Sequence, residues 1–314
     1  MSLIQVDRST HPNAHPDVGF HTGLYLLTDI IHKERADGSR SVSLHLDDSW
    51  GTLVGVMRSQ HLHQLAGIAL LSPVMVSGRM SGISMDCWIE ITKIHVVKAE
   101  AQENRLNLLP RRFCPPKAIA ALDSLLKISA KWPAPLQDFC SRVLMDPRLS
   151  ISFLRSRASK GGYHHAYPGG LLVHSVELLD LLEPMAARLF PDNPWALPVL
   201  QVSMLFHDLG KALTVGESGC TSYRHEGDEG QAIRPTARYS DGHEAVGLEI
   251  LKPHLDWLAL TTPSVSSLLL EVFSYAAADP KTRGFSVTLV SDLVRSLDQL
   301  STARDRGISF LLPV

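Results

Sequence analysis

Two short stretches of this sequence carry residues that could do chemistry. One is Leu205-Phe206-His207-Asp208-Leu209-Gly210-Lys211, and the other, upstream, is Gly169-Gly170-Leu171-Leu172-Val173-His174-Ser175. A buried imidazole or carboxylate is costly without a partner, and a metal ion accounts for both at once. His174 lies on the stripe of Leu171, Leu178 and Leu181, at offsets of three, four and seven, so helical spacing turns it inward. A lone inward histidine is more often a hydrogen-bonded core residue than a ligand. The adjacent His207-Asp208 pair, behind the apolar run Val202-Ser203-Met204-Leu205-Phe206, shifts that balance, because a buried ionised aspartate calls for a cation. An aspartate from a late helix would complete two histidines and two carboxylates, a set suited to metal-assisted hydrolysis of a phosphate ester. Asp298 shares a face with Val287, Val294 and Ser301, whereas Asp292 sits near Leu289, Leu293 and Ser296, so periodicity does not separate the two candidates. Lys211, one turn beyond His207, reads either as charge at a helix C-terminus or as the cation that neutralises a phosphate oxygen.

Two kinds of element must position these residues. From Gly23 to Lys98 the pattern is that of strands. Leu24-Tyr25-Leu26-Leu27 opens one, Asp37-Gly38 is a hairpin signal, and Ser41-Val42-Ser43-Leu44-His45-Leu46 alternates with period two. Gly51 to Met57, Val74 to Arg79 and Trp88 to Ile94 continue the set, with a short helix expected around Gln60 to Ala66. Five short strands over residues 20–98 fit a small barrel of the OB type, with a generic five-stranded sheet or barrel as the alternative. Residues 99–116 read as an extended linker, since Pro110, Pro115 and Pro116 each disfavour helix at the preceding residue. Residues 117–305 read as all helical, with segments at Ala118–Lys131, Leu136–Met145, Gly170–Leu189, Ala196–Ala212, His243–Trp257, Val265–Ala277 and Ser286–Ala303. The expected class is therefore α+β and multidomain, a small N-terminal OB-like β-barrel followed by an all-α domain.

At 314 residues the chain can bury two cores, and 45% hydrophobic with 20% charged residues is ordinary globular composition. A net charge of −2 exerts no global pull on nucleic acid or anionic membrane, so a polyanion would be held by local clusters or by metal. In the barrel region Arg35, Arg40, Arg58, Arg79 and Lys93 are balanced by Asp29, Glu34, Asp37, Asp47, Asp48 and Asp86. Tyr25, Trp50 and Trp88 could stack on bases, although such residues are more often core. Cys87, Cys114, Cys140 and Cys220 are scattered without C-x-x-C spacing, as in thiols of a reducing cytosol. No secretory signal and no membrane-spanning run is read, so a cytoplasmic location without membrane partners is expected.

His174, His207-Asp208 and a late aspartate resemble the HD phosphohydrolase superfamily, over roughly residues 110–305. The string from Ala158 to Ser175 is similar to the TraI-type helicase or relaxase domain of conjugative elements, as is Asp298-Gln299-Leu300-Ser301 with its Asp-x-x-Ser spacing. An OB-like barrel ahead of such a domain also resembles the bacterial OB-plus-HD 3′-to-5′ exoribonuclease. Both likenesses favour Asp298 over Asp292. They imply a divalent metal (Mn, Fe, Co, Ni or Mg) on His174, His207, Asp208 and Asp298, a phosphodiester substrate, and single-stranded nucleic acid or a nucleotide as partner. The exoribonuclease type carries a further histidine pair after its Gly-His element. Here Gly242-His243 is present, but Val272-Phe273-Ser274-Tyr275-Ala276 holds no histidine. His164 and His165 could compensate, or could serve helix-entry packing, and His243 is a better functional candidate than His225 or His254. A DNA-processing component of a mobile element and a small-nucleotide phosphohydrolase are the other functions implied. The chain has no P-loop, so ATP-driven unwinding is not expected.

Overall fold

The computed structural model describes residues 19–34, 40–81, 87–97, 105–159, 164–217, 242–278 and 288–305. The Asp37-Gly38 turn, Cys220 and His225 lie outside these. The chain divides into two compact units, Met1–Phe113 and Cys114–Val314. A five-stranded sheet unit is thus followed by a helical one.

In the first unit, strands β1 (Phe20–Glu34), β2 (Arg40–Asp47), β3 (Thr52–Arg58), β4 (Ser72–Ser81) and β5 (Trp88–Val96) close into a barrel in the order β1-β2-β3-β5-β4. Pairing is antiparallel except between β3 and β5, where Val54, Gly55 and Val56 run parallel to Trp88, Ile89 and Glu90. The period-two residues face inward. Val42, Leu44 and Leu46 of β2, Val74 and Val76 of β4, and Ile89 and Ile91 of β5 form the core. Tyr25 is buried in it, its hydroxyl 2.8 Å from His21 Nε2, and is therefore a core residue rather than a stacking platform. Trp50 and Trp88 are half-buried. The helix expected near Gln60 is a 3-10 helix over Ser59–Leu65.

The expected extended linker takes another form from residue 105 on, and residues 99–104 lie outside the described ones. Arg105–Leu108 and Arg111–Phe113 are 3-10 turns, and residues up to Phe113 belong to the barrel unit. Leu106, Leu108 and Leu109 are buried, and that burial outweighs the proline-imposed preference for extended chain. Arg112 anchors the turn. Its Nε lies 2.9 Å from the fully buried carboxylate of Asp47, and its other nitrogens bond Thr28 Oγ1 at 2.7 Å and His45 Nδ1 at 2.8 Å. Thr28 and Thr52 hydroxyls donate to the same carboxylate.

The second unit contains α1 (Ile119–Ser129), α2 (Ala134–Leu144), α3 (Ser152–Arg155), α4 (Gly170–Val176), α5 (Leu182–Leu189), α6 (Ala196–Phe206), α7 (Lys211–Thr214), α8 (His243–Ala259), α9 (Pro263–Ala277) and α10 (Leu289–Asp305). Helix α6 is buried continuously from Pro198 to Phe206, the mark of a central helix. Phe206 meets Phe139 of α2 edge to face at 5.9 Å, and Gln201 accepts the Trp132 indole N–H at 2.7 Å. Two expected long helices are shorter than periodicity suggests. The first breaks after Val176, which leaves Leu181 exposed rather than on the inner stripe, and the second ends at Phe206 before resuming at Lys211. Among the described residues no helix is long and apolar enough to cross a membrane.

Candidate metal centre

Helix α6 delivers the His-Asp pair from inside the core. His207 is its C-cap and Asp208 follows, 4% exposed. The His207 Nδ1 lies 2.7 Å from the Met204 carbonyl. A carbonyl oxygen only accepts, so Nδ1 carries a proton and Nε2 is the nitrogen left for a ligand. His174 arrives from α4, whose start is shaped by glycines. Gly169 holds a left-handed φ of 82°, and a Cβ on Gly170 would meet the His165 carbonyl oxygen at 2.0 Å. His165 itself holds φ 48°, uncommon for a side-chain-bearing residue. Asp298 comes from α10.

The structure brings His174, His207, Asp208 and Asp298 together, whereas Asp292 is exposed on α10. His174 Nε2 lies 3.2 Å from His207 Nε2, from Asp208 Oδ2 and from Asp298 Oδ1. His207 Nε2 lies 3.4 Å from Asp208 Oδ2 and 3.7 Å from Asp298 Oδ1. Donor atoms about 2.1 Å from an ion stand about 3.4 Å apart when tetrahedral and about 3.0 Å apart when octahedral. The residues therefore fit a divalent cation by spacing and by donor type.

They fit by charge as well. Burial opposes a proton on His174, yet hydrogen bonds to Asp208, Asp298 and Glu177 outweigh it and lift its pKa to about 10. On His207 burial is likewise overcome, by the Asp208 charge and hydrogen bonds, and the pKa rises to about 9. Burial pushes the carboxyls up, but the cationic groups around them hold Asp208 and Asp298 below the usual carboxylate range. Two carboxylates held ionised beside two imidazoles give the site the negative charge that a divalent ion neutralises.

The set is closed on one side and open on the other. The His174 and Asp208 side chains are 2% and 5% exposed, whereas Asp298 is 39% exposed. His243 Nε2 lies 2.8 Å from Asp208 Oδ1, and Lys211 Nζ lies 2.5 Å from Oδ2. Lys211 is the first residue of the four-residue α7. Gly210 lies in the turn between α6 and α7, where a Cβ would meet the His243 carbonyl oxygen at 1.8 Å. His254 is half-buried on α8, apart from the set.

No family model matches the chain, and no curated protein matches it. Among solved structures the chain is similar to a small single-stranded DNA-binding protein from Streptomyces coelicolor, at 17% identity and TM-score 0.22, over 27% of this chain and 98% of that one. At that level the similarity assigns neither fold nor ligand.

His164 and His165 are not at the four-residue set but behind it, in a second group with Glu177 and the far edge of His174. Sequence reasoning missed Glu177 and the functional placement of Ser301. The signal was present, since each lies three residues after a ligand candidate, His174 and Asp298, and therefore on the same helical side.

Proposed function

We propose that this chain is an HD-type metal-dependent phosphohydrolase that cleaves phosphodiesters of single-stranded nucleic acid, with an OB-type barrel contributing strand affinity. The observation that carries the reading is the His207 ring, bonded through Nδ1 to Met204 while its Nε2 faces the other three donor atoms. A divalent ion there would supply Lewis acidity toward water and toward a phosphoryl oxygen. The chain's own residues do the rest. His174, His207 and Asp208 form a rigid, buried base for the ion, and Asp298 holds it from the solvent side. Lys211 neutralises Asp208; once a cation takes over that task, its ammonium group is available to a phosphate oxygen. His243, 30% exposed and bonded to Asp208, would pass a proton beside the ion. The mixed nitrogen and oxygen set suits Mn, Fe, Co, Ni or Mg.

Elemental analysis of the purified protein, with hydrolysis assays on labelled single-stranded RNA and DNA and on a small phosphodiester under each of these metals, tests the reading. The expected outcome is one tightly held divalent ion at the four-residue set and cleavage that Asp208→Ala abolishes. A metal-loaded protein that cleaves none of these substrates sinks the phosphohydrolase assignment.

A further inference from the structure

The His174 ring is a partition between two polar groups. Its Nε2 edge belongs to the metal set, and its Nδ1 edge faces His164, His165 and Glu177. The His164 Nε2 lies 2.9 Å from His174 Nδ1 and 2.6 Å from Ser301 Oγ. The Ser301 hydroxyl donates to Glu177 Oε1, and His165 Nε2 lies 3.1 Å from the same oxygen. The side chains of His164, His165 and Glu177 are 7%, 8% and 13% exposed. Polar contacts sheltered to this degree are worth more than surface ones, and losing one partner leaves the others stranded.

The positions of Glu177 and Ser301 along the chain give the group its purpose. His174 sits on α4, and Glu177 is the C-cap of that helix, three residues on. Asp298 sits on α10, and Ser301 follows three residues on. Each ligand candidate is thus backed, one turn away on the same side, by a residue that bonds the residue backing the other. Asp298 needs such support, because it is the most exposed member of the set and its helix reaches the centre from a separate part of the chain.

We infer that Glu177 and Ser301 form a clasp between α4 and α10 that sets the separation of His174 and Asp298, with His164 seated between the clasp and the His174 ring. These are positioning residues and not ligands. For His174 to bind a cation through Nε2, its remaining proton must sit on Nδ1, and Glu177 Oε1, 3.7 Å from Nδ1, is the carboxylate oxygen on that edge. The Ser301 hydroxyl, closing on the same edge of His164, keeps that ring from turning away. The device rests on the four-residue set being the metal site, and it concerns affinity for the ion, not hydrolysis.

The test is Mn(II) binding by chelator competition on the full chain, with metal counted per chain and hydrolysis assayed in parallel. Ser301→Ala and Glu177→Leu are expected to weaken Mn(II) binding about 10- to 100-fold. Ser301→Thr and Glu177→Gln, which keep a hydroxyl and an acceptor oxygen, are expected to recover most of it and cover the case in which an Ala or Leu variant does not fold. All folded forms should hold one ion per chain at saturation. Wild-type affinity in Ser301→Ala overturns the clasp and leaves the proposed function standing. Two ions in the wild type and one in Glu177→Leu also overturn it, since the residues are then ligands of a second cation. Clasp-dependent binding without hydrolysis keeps the clasp and removes the phosphohydrolase. No Mn(II) binding by the wild type removes both.

Discussion

Asp292 and Asp298 show how little separates a ligand from a surface charge at the level of single residues. Both lie on α10 among apolar neighbours, but only Asp298 meets His174 and His207. Asp298→Ala should therefore weaken Mn(II) binding by more than about tenfold, since it removes a direct ligand where loss of an outer partner already costs that much. Asp292→Ala should leave binding unchanged, and the reverse order in a chelator titration would reassign the ligand. Asp146 makes a separate prediction. Burial would raise its carboxyl, but Arg148 donates its backbone N–H at 2.9 Å and its guanidinium at 2.6 Å, and the net shift is downward. A depressed folded pKa contributes stability that is present above the unfolded value of about 4 and lost as pH falls through the folded value. Arg148 is 48% exposed, so solvent screening limits the contribution to about 1 kcal/mol or less. Asp146→Asn should be less stable than wild type at pH 7 and converge with it near the acid limit. Parallel pH–stability curves would rule this out.

Element ends, rather than element interiors, build the centre. His207 caps α6, Lys211 opens α7, and His243 opens α8. Gly210 lets the last of these approach the first two. A methyl group at that position has backbone, not a flexible side chain, in its way. Gly210→Ala should cost about 1–3 kcal/mol by overpacking, lowering the melting temperature by about 2–10 °C. It should also move His243 away from Asp208, so hydrolysis should fall further than Mn(II) affinity. A variant that melts and cleaves like wild type would show that α8 can shift at no cost.

At the scale of the whole molecule, charge is distributed differently from its count. Asp47 is consumed by Arg112 and two threonines, and the buried Asp48 carboxylate accepts the N–H groups of Trp50 and Gly51. Asp37 and Asp86 lie outside the described residues. Arg40, Arg58, Arg79 and Lys93 are exposed, with Arg58 paired to Glu90 at 2.5 Å. The acids that balance the barrel on paper are therefore partly withdrawn from its surface. If the barrel contributes strand affinity, the double variant Arg79→Glu, Lys93→Glu should weaken binding to single-stranded oligonucleotides while leaving hydrolysis of a small phosphodiester intact. Affinity should fall as salt rises, with a shallow slope set by few cations. Equal loss on both substrates, or none on either, would remove the strand-guiding role.

Local periodicity was enough to place a strand-rich unit before a helical one and to turn His174 inward, because within one turn of a helix the face a residue takes follows from its near neighbours in the chain. It could not end the helices correctly. The break after Val176 and the turn at residues 207–210 answer to packing and to close backbone approach, which leave no periodic trace. Nor could it choose Asp298, bring His243 onto Asp208, withdraw Asp47 into a pair with Arg112, or join Glu177 to Ser301. Each of those contacts spans tens of residues or more, and such contacts exist only once burial has folded distant segments onto a common core.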